Sequence, residues 1–174
     1  MAMGKLLVPD AVVGHVTAIR PAMLQSRGVR GLIVDLDNTL THWNAHGCAP
    51  EIAAWLDDLR HGGIAVCIVS NNGAERVGAF CAGLSDPVPW IAKARKPRRS
   101  AYRRALALLE LSSSTAAVVG DQVFTDVFGG NRAGLLTILV APLGRREFAA
   151  TRLVRVVEGL WLRRLRAGGA VRSL

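Results

Sequence analysis

The chain has 174 residues, 51% of them hydrophobic, enough for one domain with a buried core and too few for two of ordinary size. Charges, Gly or Pro interrupt every apolar run before it reaches membrane-spanning length, which excludes a bundle of spanning helices. A formal net charge of +9 points to an anionic counterpart, whether nucleic acid, a phosphorylated metabolite or an acidic lipid headgroup, without choosing among them.

Residues 1–28 read as an N-terminal extension. Their start resembles a signal peptide, but Pro9 and Asp10 cut the apolar stretch short and no small-residue cleavage site follows, so a mature cytoplasmic chain is expected. "GLIVDL" (31–36) is then a continuous apolar run of the kind formed by a strand covered on both faces. A helix follows in "PEIAAWLDDLRHGG", with Pro50 in its first turn and Asp57 and Asp58 on its solvated side. Next come the strand "IAVCIVS" (64–70), the helix "GAERVGAFCAGL" and the strand "VPWIA" (88–92). The helix "PRRSAYRRALALLEL" starts at Pro97 and leads to the strand "AAVVG" (116–120). The segment "TDVFGGNRAG" and the strand "LLTILVA" (135–141) complete the pattern. Strands alternating with helices predict a three-layer α/β domain over 1–174, with a doubly wound, parallel, five-stranded sheet. Cys48, Cys67 and Cys81 lack metal-ligand spacing and read as free packing thiols.

A basic amphipathic helix is expected at about 146–167. Leu153, Val156, Val157, Leu160 and Trp161 share one side, Arg152, Arg155, Arg163 and Arg166 lie roughly opposite, and Arg164 breaks the pattern. Such a helix either packs on the sheet as an ordinary surface element or lies at an interface with acidic headgroups.

The polar residues of interest gather at the carboxyl ends of these strands, the edge where doubly wound sheets bind ligands. Asp35 and Asp37 end the first strand, Ser70, Asn71 and Asn72 follow the second, Lys96 follows the third, and Gly120, Asp121 and Asp126 follow the fourth. In an extended chain residues i and i+2 point the same way, so Asp35 and Asp37 face one cavity. Two such carboxylates repel unless a cation lies near. With Asp121 and Asp126 they make an oxygen-rich edge of the kind Mg²⁺ prefers, and Mg²⁺ held by few carboxylates implies phosphoryl chemistry. Ser70 with the adjacent amides and Lys96 suit an anion. Taken singly, an Asp at a strand end is a turn or cap, and a Lys before Pro is a solvated loop residue. Four successive strands ending in residues useful for one reaction make the joint reading the stronger one.

In that order, "DLDNTL", "SNN", "KP" and "GDQVFTD" resemble the four motifs of the haloacid dehalogenase-like (HAD) hydrolases. More narrowly, "DLDNTLTHW", "IVSNN", "KARKP", "GDQVFTDVFGGNRAG" and the tail from "TRLVR" resemble the YqeG-type subfamily IIIA phosphatases, related to mitochondrial phosphatidylglycerophosphate phosphatase. The resemblance implies that Asp35 is a nucleophile forming an aspartyl-phosphate and that Asp37 is the general acid and base. It further implies that Ser70, Asn71 and Lys96 bind phosphate, and that Asp35, the Asp37 backbone carbonyl and Asp121 hold Mg²⁺, with Thr39 and Asp126 supporting. Lys93 is the weaker candidate for the lysine role, because Lys96 carries the Lys-Pro signature. Residues 38–69 and 73–95 leave no room for a large cap, as in members acting on large substrates.

The implied partner is a phosphorylated substrate with an anionic lipid headgroup, phosphatidylglycerophosphate in particular, met at an acidic membrane surface. A phosphatase of nucleic-acid ends, phosphoproteins or a soluble metabolite is the enzymatic rival. A receiver domain is disfavoured because its acidic pair and phospho-accepting aspartate lie on different strands. An idle RNA- or ribosome-binding module is disfavoured by scarce aromatics and the lack of an RNA-binding motif. Nucleic acid is therefore the weaker partner. His42 and Trp43 read as loop-shaping residues near the nucleophile, and Phe124 and Phe128 as either core or ligand contacts.

Overall fold

The computed structural model describes residues 6–45, 47–143 and 172–173. In chain order the elements are β1 (Ala11–Val13), α1 (Pro21–Gln25), β2 (Gly31–Val34), α2 (Pro50–His61), β3 (Ala65–Val69), α3 (Ala74–Cys81), β4 (Trp90–Ile91), α4 (Arg99–Leu109), β5 (Ala116–Gly120), α5 (Phe128–Ala133), β6 (Leu136–Val140) and β7 (Arg172–Ser173). The strands form one parallel sheet in the order β4-β3-β2-β5-β6-β1-β7. The chain starts the main βα pattern at β2, moves outward to β3 and β4, then returns to β5 and continues to β6 on the other side. The reversal opens a crevice beyond the carboxyl ends of β2 and β5.

The continuous apolar strands are explained by their two covered faces. Leu32, Val34, Val66, Ile68, Ala117 and Val119 belong to one core with Trp55, Leu56, Leu59, Val77 and Phe80 of α2 and α3. The alternating residues Ile33, Cys67, Val69, Ala116 and Val118 belong to a second core with Ala101, Tyr102 and Ala105 of α4. Each strand therefore needs apolar side chains at successive positions. Truncating fully buried Phe80 to Ala should cost about 3–5 kcal/mol through lost burial and the cavity left behind.

Five strands were expected, and seven are present among the described residues; the two additions lie beyond β6. β1 has three residues, too few to show a period, and it is specified by long-range pairing, Ala11 with Ile138 through Val13 with Val140. The segment read as an N-terminal extension is thus woven into the sheet. The Asp10 carboxylate accepts from the Thr137 N–H at 2.7 Å and its hydroxyl at 3.0 Å, and the Trp55 indole donates to the Ile19 carbonyl at 2.9 Å. β4 is shorter than its apolar run because Pro87 and Pro89 lack N–H groups for a ladder. The helix expected at about 146–167 lies outside the described residues.

Between β2 and β3 the described residues hold a loop and α2, and between β3 and Lys96 they hold α3 and β4, so no cap is inserted at either place. No helix among the described residues is long and apolar enough to cross a membrane.

Two glycines bring α5 close to its neighbours. A Cβ on Gly129 would lie 2.5 Å from the Tyr102 hydroxyl, and one on Gly130 would lie 2.3 Å from a Val118 methyl. The lack of a Cβ at these two positions lets α5 pack directly on α4 and on the middle of β5.

Candidate active site

The site is a cleft of about 320 Å³ at the switch point, lined by Asp35, Asp37, Ser70, Asn71, Lys96 and neighbouring residues. A larger hollow of about 610 Å³ lies against Arg27 and Gly134 near the start of β6, away from these groups.

The Asp35 N–H donates to the Val119 carbonyl at 2.9 Å, extending the β2–β5 pairing by one bond and fixing the root of this side chain. The chain then turns sharply. Asn38 takes φ 60°, a left-handed conformation that Asn tolerates, and the Leu40 N–H donates back to the Leu36 carbonyl at 2.9 Å. The turn sets Asp35 and Asp37 toward different walls.

The inner wall is buried and ionic. Lys96 Nζ donates to Asp35 Oδ1 at 2.6 Å and to Asp126 Oδ1 at 2.7 Å. The Thr39 hydroxyl lies 3.4 Å from the other Asp35 oxygen. Asp35, Asp121 and Asp126 each present a carboxylate oxygen within 4.8 Å of the others. Burial pushes the Asp35 carboxyl up to about 8; Lys96 opposes this, while Asp126 and Asp121 add to it. For Lys96, burial favours the neutral amine, yet Asp126 and Asp35 outweigh it and raise its pKa above the ordinary lysine range. Together the two directions leave Lys96 charged beside an Asp35 carboxyl held above the ordinary carboxylate range.

Main-chain geometry holds Lys96 at the wall. The Asn71 amide bonds twice to the Lys96 backbone, accepting from its N–H at 2.7 Å and donating to its carbonyl at 3.2 Å. Asp126 is positioned by the wide turn Val123–Val127, where its second oxygen accepts from the Gln122 N–H at 3.3 Å and the Thr125 hydroxyl at 3.2 Å. Such π-type turns recur at functional sites. Gly120 is required beside it, since a Cβ there would sit 2.3 Å from the Asp126 carboxylate.

The outer wall is partly solvated and built around Asp37. Its Oδ2 accepts from the Ser70 hydroxyl at 3.4 Å and the Asn72 amide at 3.3 Å, and its Oδ1 pairs with Arg76 Nε at 3.1 Å. Arg76 also donates to the His42 carbonyl at 2.8 Å and to the Ala45 carbonyl.

The structure thus brings together every residue the motifs singled out, Asp35, Asp37, Thr39, Ser70, Asn71, Lys96, Asp121 and Asp126. Asp126 joins Asp35 and Asp121 in the carboxylate cluster, whereas the Asp37 carboxylate faces the outer wall. Lys93 is exposed, away from the ion pairs that hold Lys96. Sequence reasoning missed Arg76 and the Asn72 contact. Arg76 lies in the first turn of α3, and its surrounding sequence is that of a solvated helix arginine.

This strand-end aspartate pair, with its hydroxyl, lysine and carboxylate cluster, stands on the fold of a phosphatase of the HAD type. Residues 93–147 match the HAD-hydrolase-like family, and residues 1–79 match the mitochondrial phosphatidylglycerophosphate phosphatase family. The fold resembles the 3-deoxy-D-manno-octulosonate 8-phosphate phosphatase of Moraxella catarrhalis, solved with magnesium and phosphate, with a TM-score of 0.53 at 17% identity over 83% of this chain and 92% of that one. The probable phosphatase YqeG of Bacillus subtilis is 41% identical over 167 residues, 96% of each chain. The chain belongs to the YqeG phosphatase family. A phosphatidylglycerophosphate phosphatase of Arabidopsis thaliana is 29% identical over 94% of this chain, which spans 50% of that protein's length.

Proposed function

We propose that the protein is a Mg²⁺-dependent phosphomonoester hydrolase that works through an aspartyl-phosphate on Asp35 and acts on phosphatidylglycerophosphate. The observation that carries the reaction is the contrast between the carboxylates. Asp35 sits against Lys96 on the inner wall, and Asp37 stands across the cleft in a solvated hydrogen-bonded setting. Environments that different suit one group to attack and the other to carry protons.

The donor chemistry fits a divalent cation: three carboxylates face one lysine, leaving excess negative charge. Asp35 and Asp121, with the Asp37 carbonyl, would hold the ion, with Asp126 in support. When bound, it offsets that charge and draws electron density from the phosphoryl oxygens.

A carboxylate oxygen of Asp35 attacks phosphorus as the bond to the leaving oxygen breaks, and Asp37 gives that oxygen its proton. Water then attacks the same phosphorus, Asp37 takes a proton from the water, and the bond to Asp35 breaks to release phosphate. Lys96 and the Ser70 hydroxyl hold the phosphoryl group throughout. Asn71 contributes to phosphate binding by clamping Lys96, and Thr39 supports Asp35.

The lipid assignment draws on the phosphatidylglycerophosphate phosphatase relatives, the absence of an inserted cap and the surface beside Lys96. Lys93, Arg95, Arg98 and Arg99, which flank Lys96 in the chain, are all exposed. Such a basic segment suits an anionic headgroup presented at an acidic cytoplasmic membrane face. It would also accept a phosphorylated nucleic-acid end, which is the second reading. One assay separates them: Mg²⁺-dependent phosphate release from phosphatidylglycerophosphate, soluble phosphomonoesters, phosphopeptides and end-phosphorylated oligonucleotides, with Asp35→Asn as control. Asp35-dependent preference for the lipid supports both assignments, preference for another substrate removes the lipid, and no Asp35-dependent release removes the enzyme mechanism.

A further inference from the structure

We infer that Arg76 is a positioning residue for proton transfer, setting the Asp37 carboxyl in the cleft and fastening the loop that follows the nucleophile to it; this rests on the reading of Asp37 as acid and base.

Three observations converge on one guanidinium. Its side chain is only 15% exposed, and it extends from the first turn of α3 across to the opposite loop. Each of its nitrogens has a separate acceptor: Nε meets Asp37 Oδ1 at 3.1 Å, one terminal nitrogen meets the His42 carbonyl at 2.8 Å, and the other meets the Ala45 carbonyl. The loop carbonyls face toward α3 because this fork satisfies them. A planar fork with fixed donor directions holds three acceptors in one relation, which a single ammonium on a flexible stem does not.

The fork also completes the surroundings of Asp37. Ser70 and Asn72 bond to Oδ2, and Arg76 bonds to Oδ1, so the carboxyl plane is fixed from both edges. Asp37 itself stands just before the sharp turn at Asn38 and lies in no helix or strand, its backbone restrained there by an isolated bridge to Thr41. Arg76 therefore supplies orientation that the local backbone lacks. It stands on the outer wall, away from the Lys96 ion pairs that place Asp35.

The chemistry makes this role separable from a merely structural one. An alkyl leaving group needs a proton as the phosphorus–oxygen bond breaks, whereas a p-nitrophenolate leaves without one. Water attack on the aspartyl-phosphate needs a base with either substrate. Misplacing Asp37 should therefore slow both steps for an alkyl phosphate but only the second step for p-nitrophenyl phosphate.

The test compares wild type, Arg76→Met and Arg76→Lys in the full chain with Mg²⁺, using dioctanoyl phosphatidylglycerophosphate and p-nitrophenyl phosphate, with Asp35→Asn as control. Arg76→Met should lower kcat on the lipid by about 10²-fold, as expected when a catalytic group is misplaced, with KM changed less than threefold. On p-nitrophenyl phosphate it should give a burst of p-nitrophenolate close to one equivalent of enzyme, followed by slow turnover. Arg76→Lys, which keeps the positive charge but lacks the planar fork, should recover less than a tenth of the lost kcat. Equal losses on both substrates without a burst, a loss confined to KM, or full rescue by lysine would overturn the inference while leaving the phosphatase reading intact. Wild type without Asp35-dependent turnover of either substrate would remove the phosphatase reading and this inference together.

Discussion

Asp35 and Asp37 leave the same strand two residues apart, yet one enters a buried wall of fixed charges and the other a solvated wall of hydrogen bonds. The side chain of Asp35 is 9% exposed and paired with a lysine that also serves Asp126, while that of Asp37 is 21% exposed and touches a hydroxyl, an amide and a guanidinium. Chemically identical groups thus acquire different reactivity from the elements facing them. In the proposed reaction the buried inner carboxyl is the attacking group beside the cation, and the outer one, open to solvent, is the acid and base.

Substitution in each wall should break this contrast in a different way. Asp35→Asn removes the attacking oxygen and should lower phosphate release by about 10⁴-fold or more, with no phosphoryl-enzyme trapped by acid quench. Asp37→Asn should cost about 10²–10⁴-fold on alkyl phosphates and leave the phosphoryl-enzyme trappable, because the second step then lacks its base. Loss of trapping in both variants would mean that the two walls do not divide the labour as described.

Lys96→Met tests the inner wall as structure. It leaves Asp35 and Asp126 buried without their shared cation, and breaking such a pair typically costs about 3–5 kcal/mol. Denaturant unfolding should show this loss in the metal-free protein and a smaller one in saturating Mg²⁺. A substitution at Asp37 should have a lesser effect on stability, given its partial exposure.

Metal binding should sharpen the same distinction. Mg²⁺ at about 100 times its Kd should raise stability by about 2.7 kcal/mol, seen as a higher Tm. Asp35→Asn should remove most of that shift and Asp37→Asn little of it. EDTA should return the wild type to its metal-free Tm.

A last effect concerns pH. The Asp35 carboxyl rises from its ordinary 3.8 to about 8 in the folded chain, with burial the main cause. The folded protein then holds a proton that the unfolded chain releases, so this group's contribution is fully present below 3.8 and is lost as pH rises through about 8. Metal-free wild type should therefore lose stability across that window relative to Asp35→Asn, whose melting temperature lacks this component. A parallel pH dependence of the two proteins would show that Asp35 is already ionised when buried.

Much of this was legible in the sequence because the chemistry lies at strand ends. Apolar runs located β2, β3, β5 and β6, and the polar residue after each run located one side of the cleft. The residues not legible act across long separations. Arg76 reaches Asp37 from 39 residues away, and nothing in "GAERVGAF" distinguishes it from a solvated helix arginine. β1 is equally hidden, because three residues acquire strand geometry from β6 and β7, more than a hundred residues later. Asp126 could be placed near the site but not in the Lys96 pair, since its direction depends on the wide turn at Val123–Val127.

Gly120 carries a consequence for how mutational data on this protein should be interpreted. A methyl group at this position would collide with the Asp126 carboxylate, so even Gly120→Ala must displace the partner of Lys96. A saturation screen scored by activity should return position 120 among the least tolerant in the chain, ranked with the aspartates. Intolerance there would report an occupied volume, and a residue with no side chain would look like a participant in the reaction.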